Sequence, residues 1–170
     1  VYVQCYAADY SAMTDNFRVS AILPPEAQPA PAITSLIDGG FVISWTDSGI
    51  KAQRYTVGCQ PSGEQLTVQA NTSEWHYTDS VMTGLNNGNF VVAWRCFHTD
   101  PLWRDSKYFW QQYADDGSIV SNSDNHIDTV GRYSFGGFLN LAALNVSDSR
   151  FVIGWSKEQA YPELFGDGGV

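Results

Sequence analysis

Leu36-Ile37-Asp38-Gly39-Gly40-Phe41-Val42-Ile43-Ser44-Trp45 reads as a tight turn followed by a strand, and the chain repeats it. Leu85-Asn86-Asn87-Gly88-Asn89-Phe90-Val91-Val92-Ala93-Trp94 is the second copy. The third runs from Leu144 to Phe151-Val152-Ile153-Gly154-Trp155, with a turn two residues longer. The three Phe residues, 41, 90 and 151, lie 49 and then 61 positions apart. Asp38-Gly39-Gly40 and Asn86-Asn87-Gly88 supply the residues that tolerate positive φ in hairpin turns. The strand after each turn alternates, with Phe41, Ile43 and Trp45 on one face and Val42 and Ser44 on the other. Ser44, Ala93 and Gly154 coincide in the three copies. A strand with large residues on one face and a small one on the other is expected to be covered on both faces, the small residue letting a neighbouring sheet come close.

A second pattern lies between these copies. Val3-Gln4-Cys5-Tyr6, Val57-Gly58-Cys59-Gln60 and Trp110-Gln111-Gln112-Tyr113 align at spacings of 54 and 53. Each precedes a turn (Ala8-Asp9, Pro61-Ser62-Gly63, Asp115-Asp116-Gly117) and then a short strand (Phe17-Arg18-Val19, Leu66-Thr67-Val68, Ser118-Ile119-Val120). One unit is therefore expected to hold four strands: Ile33–Leu36, Phe41–Trp45, Tyr55–Gln60 and Leu66–Ala70. No segment has helical periodicity over a useful length. A period near 50 residues is in the range of propeller blades.

The Leu-x-Asp-Gly-Gly-Phe-Val-x-x-Trp strand pair resembles the propeller repeats of large secreted and cell-surface proteins. The resemblance covers residues 1–155 and is strongest at 33–45 and 80–94. It implies an all-β fold of β-propeller-like, four-stranded antiparallel blades, about three blades' worth, forming part of a larger ring or assembly. The boundaries read from the repeat are a half blade at 1–22, blades at 33–70 and 80–124, a half blade at 138–156 and a tail at 157–170. The Pro-rich stretch 23–32 reads as a surface connector, 95–107 as an enlarged loop between second and third strands, and 122–138 as a long inter-blade connection. Because three blades fall short of the usual four to eight, other segments of a larger protein or other copies are the expected partners. The opening at Val1, in what reads as mid-strand, points the same way.

Composition narrows the function classes. The 170 residues are 44% hydrophobic and 14% aromatic, a globular balance. With 18 acidic against 9 basic residues the net charge is −9, which repels phosphate backbones and argues against nucleic-acid binding. No apolar run approaches the roughly 20 residues of a membrane-spanning helix.

Several residues are candidates for chemistry. Trp75, His76, Tyr77, Phe97, His98 and Trp103 fall outside the repeated core and could form an aromatic platform for stacking sugars; the competing reading, packing between blades, is favoured because large aromatics are mostly buried. Asp124, His126 and Asp128 alternate along an extended segment and offer a ligand set for Ca²⁺, the one cofactor considered; without the Gly and Glu of a calcium loop, a solvated polar loop fits better. Asn71-Thr72-Ser73 and Asn145-Val146-Ser147 are N-glycosylation triplets, modifying Asn71 and Asn145 if used. Cys5 and Cys59 fall at equivalent repeat positions in different blades, so no disulfide is expected between them, and Cys96 leaves an odd count. No residue is nominated as catalytic, since nucleophile elbow, zinc-protease and phosphate-loop motifs are all missing. The expected function is a noncatalytic structural or adhesive module at the cell surface or outside the cell. A lectin-like carbohydrate-binding module and a fragment of a propeller glycosidase are the alternatives.

Overall fold

The computed structural model describes residues 1–20, 31–100, 105–120, 125–130, 136–144 and 149–157. All twelve elements among them are strands. The first pair is β1 (Tyr2–Val3) and β2 (Phe17–Arg18). A four-stranded sheet follows, made of β3 (Ala32–Ser35), β4 (Phe41–Thr46), β5 (Gly49–Tyr55) and β6 (Pro61–Ala70). A second has β7 (Trp75–Gly84), β8 (Phe90–His98), β9 (Ser106–Tyr113) and β10 (His126–Val130). The last pair is β11 (Gly136–Ala143) and β12 (Phe151–Lys157). Each complete sheet is an antiparallel meander in which strands neighbour in chain order. The all-β expectation and the four-stranded unit are thus met.

One turn recurs throughout. In Leu36–Gly40 the Leu36 amide donates to the Gly40 carbonyl and the Gly39 amide to the Leu36 carbonyl. The same two bonds close Ala7–Ser11, Thr56–Gln60, Leu85–Asn89 and Ala114–Ser118. The fourth residue of each is left-handed: Tyr10 (φ 67°), Gly39 (85°), Cys59 (62°), Gly88 (89°) and Gly117 (86°). This is the three-residue hairpin loop that ends in a left-handed bulge. Asp9, Asp38, Asn87 and Asp116 each accept the amide two residues on, which fixes the turn from the side chain.

The turns correct the expected third strand. It runs Gly49–Tyr55 and ends where Tyr55–Gln60 had placed its start. Thr56–Gln60 is the turn, unannounced because Cys59 rather than glycine takes the left-handed position. Pro61, expected in a turn, opens β6, a sheet-edge position that tolerates a missing amide donor. In the second sheet the named fourth strand is His126–Val130, while Ile119 makes only an isolated bridge to Tyr113. Residues 95–98 and 106–107, read as loop, are the ends of β8 and β9. Of the connector read at 23–32, residues 23–30 lie outside the described residues, and Ala32 opens β3.

Both faces of β4 and β8 are covered as the alternation predicts. Ile43, Trp45 and Tyr55 bury against Val1, Val3, Phe17 and Val19 of the β1–β2 pair. On the opposite face Leu36, Val42, Ile50 and Ala52 meet Met82, Phe90, Val92 and Trp94 of the next sheet. Ala93 and Tyr108 then meet Leu139, Leu141 and Ile153 of the β11–β12 pair. The small position is used as expected: Ser44 is fully buried and its hydroxyl lies 2.8 Å from that of Ser80 on the next sheet.

First strands of successive units are tied at equivalent positions. Thr34 Oγ1 accepts the Gly84 amide at 2.9 Å, and Thr83 Oγ1 accepts the Ala143 amide at 2.9 Å. The approach is close enough that a Cβ on Gly84 would sit 2.2 Å from the Ser35 carbonyl oxygen. A Cβ on Gly154 would meet nothing within 4 Å. Gly84→Ala is therefore expected to cost about 1–3 kcal/mol in urea unfolding, and Gly154→Ala to be near neutral.

Burial also sets an alkaline limit. It pushes the Tyr113 phenol up to about 12 and raises Tyr55 as well. Both folded values lie above the ordinary value of 10.0, so their contribution is whole below pH 10 and is lost as pH rises through the folded values. Thermal midpoints are expected to fall steeply between about pH 10 and 12, with tyrosinate absorbance rising in step.

Candidate functional site

The candidate aromatic residues lie on the free ends of β7 and β8. Val81 pairs with Ala93 as Ala32 pairs with Ser44 in the preceding sheet, so Trp75 to Ser80 extend β7 beyond the position where β3 begins. In this extension Trp75 pairs with His98, His76 with Phe97 and Tyr77 with Cys96. The Trp75 and His98 rings meet edge-on at 5.1 Å, and His76 and Phe97 lie 5.5 Å apart. Such cross-strand pairs stabilise a hairpin that outruns its neighbour.

Strand alternation divides the set. Trp75, Tyr77 and His98 share one face, while His76 and Phe97 share the other. On the first face the Lys107 ammonium sits 4.0 Å from the centre of the Trp75 ring, a cation–π contact. Tyr77 packs against the main core, and burial, then the neighbouring Cys96, raises its pKa. His98 Nδ1 accepts the Asp100 amide at 3.1 Å, which leaves its proton on Nε2 when the ring is neutral. On the second face His76 and Phe97 are exposed, Phe97 at 39%. A single platform of six is therefore not what the fold assembles; Trp103 lies outside the described residues.

Of the expected calcium ligands, Asp124 also lies outside the described residues. His126 and Asp128 are on β10, with a register shift between them in place of plain alternation. His126 Nε2 lies 2.8 Å from Thr129 Oγ1, and its ring meets Phe109 edge-on. Asp128 accepts the Thr129 amide on Oδ1 and the Trp155 indole on Oδ2, both within 2.9 Å. Both residues thus have protein partners, and no group of three His, Cys, Asp or Glu side chains among the described residues is arranged to hold a metal. Asn71 is exposed between β6 and β7, its Oδ1 holding the Tyr77 amide at 2.9 Å. Asn145 lies outside the described residues.

The sequence reading missed the chemistry of the sheet-to-sheet seam. Cys5 and Cys59 form a disulfide with Cα atoms 6.6 Å apart, against the expectation of no bridge. The reason is a misplaced equivalence. The recurring turn aligns Tyr6 with Tyr55 and Tyr113, so Cys5 corresponds to Arg54, and Cys59 to Tyr10 and Gly117. A position just before the turn in one unit thus meets the turn of the next, within bridging distance. Arg54 repeats the connection without sulfur. Its Nη1 donates to the Asp115 carbonyl in the next sheet's turn at 2.9 Å, and its Nη2 pairs with Asp38. The aligned residue before each conserved-pattern Tyr was the available signal.

Cys96 is buried on β8, and burial pushes its thiol up to about 11. Among the described residues no helix is long and apolar enough to cross a membrane. Comparison with protein-family models, curated proteins and solved structures finds no match for this chain.

Cys59→Ser is expected to lower stability by about 2–4 kcal/mol, the usual worth of a long-loop disulfide. In native protein at pH 8 a thiol reagent should find no reactive cysteine, and after denaturation without reductant a single one, Cys96.

Proposed function

We propose that this chain is a stretch of propeller-like repeats serving as a noncatalytic extracellular scaffold, one that holds its turns and hairpin ends rigidly for partners. The observation that carries the reading is the seam. At the same repeat position, successive units are joined by the Cys5–Cys59 disulfide and then by Arg54 reaching Asp115. A bridge across a joint between sheets serves rigidity rather than chemistry at either sulfur, and it suits an oxidising compartment. The net charge of −9 favours a well-solvated surface.

A lectin-like role is the second reading, favoured by one observation: the exposed His76–Phe97 pair at the tip of the β7–β8 extension. Exposed rings on a rigid hairpin suit stacking on a sugar face.

Two measurements separate these readings. The scaffold reading expects the secreted chain to resist trypsin in oxidising buffer and to be cut between Cys5 and Cys59 once reduced. It also expects a blank glycan array. Equal cleavage in both buffers would remove the scaffold argument. Sugar-dependent array binding that Phe97→Ala abolishes would establish the lectin reading in its place.

A further inference from the structure

Asn87-Gly88 is the one Asn-Gly pair in the sequence, and it lies in the recurring turn between β7 and β8. The pair is chemically labile, because a residue without Cβ leaves its backbone nitrogen open to the preceding side chain. The Gly88 nitrogen bonds to Asn87 Cγ and gives up its proton, the Cγ–Nδ2 bond breaks, and ammonia leaves with that proton. Water then opens the five-membered succinimide at one of its two carbonyls. Opening at Cγ leaves an aspartate on the original backbone. Opening at the backbone carbonyl leaves an isoaspartate, whose chain runs through the side chain and is one carbon longer. Either way an amide and water are consumed, and a carboxylic acid and ammonia are released.

The folded turn engages both reacting groups. The Gly88 amide donates to the Leu85 carbonyl at 3.1 Å, and Asn87 Oδ1 accepts the Asn89 amide at 3.1 Å. Ring closure breaks the first bond outright, since an imide nitrogen carries no hydrogen, and it draws the carboxamide away from the Asn89 amide. Asn87 itself is exposed, so water reaches it freely and the barrier lies in the turn's own bonds. The repeat shows which product the fold accepts. At the position of Asn87 three other turns carry Asp9, Asp38 and Asp116, whose Oδ1 atoms accept the amide two residues on at 3.0, 3.0 and 2.8 Å. An aspartate at 87 offers the Asn89 amide the same acceptor. An isoaspartate instead lengthens the backbone of a turn that sets Gly84 opposite Phe90.

We propose that Asn87 is a deamidation site which the folded turn keeps slow, and that its aspartate product makes this turn match its Asp-bearing equivalents with the fold intact. The new charge falls beside the second joint. A Cβ on Gly88 would lie 3.9 Å from the Asp115 Cβ, and the Asp115 carbonyl is the one that Arg54 holds. Deamidation therefore adds a negative charge at the seam of a chain already at −9. The inference goes beyond the scaffold reading and is independent of it and of sugar binding.

The test is incubation of the intact chain in mildly alkaline buffer, once folded and once in denaturant. Peptide mapping reads the mass difference between amide and acid, and fragmentation places it on one asparagine. In denaturant Asn87 should convert before any other asparagine. In the folded chain it should convert at least about tenfold more slowly, the protection given by a turn open in one molecule in ten or fewer. Asn87→Asp should leave the thermal midpoint unchanged, while Asn87→Ala, which removes the acceptor for the Asn89 amide, should lower it. Equal rates in the two buffers overturn the proposal, as does conversion in denaturant that begins at another asparagine. So does an Asn87→Asp midpoint as low as that of Asn87→Ala.

Discussion

The left-handed residue at the fourth position of the recurring turn is the constraint from which the rest of the architecture follows. It lets the first residue's amide reach the fifth residue's carbonyl and fixes which residues of the two strands face each other. Phe41 then lies opposite Tyr55 and Phe90 opposite Tyr113. Because side chains alternate with a period of two, a slip of one residue would turn Ile43 and Trp45 away from the β1–β2 pair and expose Val42 and Ser44's face to the wrong neighbour. Sheet stacking is thus decided locally, at the turns, before any sheet meets another.

Successive sheets are held by two layers of interaction with different tolerances. The inner layer is apolar packing plus the threonine bonds Thr34–Gly84 and Thr83–Ala143, and it repeats with nearly the same residues. The outer layer, beside the turns, repeats in position but not in chemistry: Cys5 bonds covalently to Cys59, while Arg54 uses a carbonyl and Asp38. Packing constrains the inner layer because a single Cβ at Gly84 already collides with backbone. Side chains beside the turns reach across the joint, where the chain uses a disulfide at one joint and a guanidinium at the next.

Much of this was legible in the sequence. The Phe-x-aliphatic-small-Trp strands, their faces, the role of Ser44 and Ala93, and the Asp-Gly and Asn-Gly turns all follow from alternation and glycine chemistry. What was not legible depends on positions where the usual markers are missing. Cys59 and Tyr10 adopt left-handed backbone without glycine, so the turns at Thr56–Gln60 and Ala7–Ser11 gave weaker signals than Gly63 nearby. That moved the third strand by several residues and misaligned Cys5 with Cys59, and the disulfide was lost with the alignment. Trp75, His76, Tyr77, Phe97 and His98 lie on the free ends of β7 and β8, but the one-dimensional list had no means of dividing Trp75, Tyr77 and His98 from His76 and Phe97 before the register was known.

The buried indoles show how the same repeat position acquires different surroundings. Trp45 and Trp94 are buried with no hydrogen-bond partner for Nε1, whereas Trp155 Nε1 donates to Asp128 on the preceding sheet. An unmet indole donor costs free energy that packing of the large ring must exceed. In the two complete sheets both faces are covered and packing supplies that gain. Trp155, on the face of β12 that meets the preceding sheet, remains 40% exposed, and a hydrogen bond to Asp128 orients the ring instead. The carboxylate considered as a calcium ligand is therefore also a structural partner of the repeat's own tryptophan.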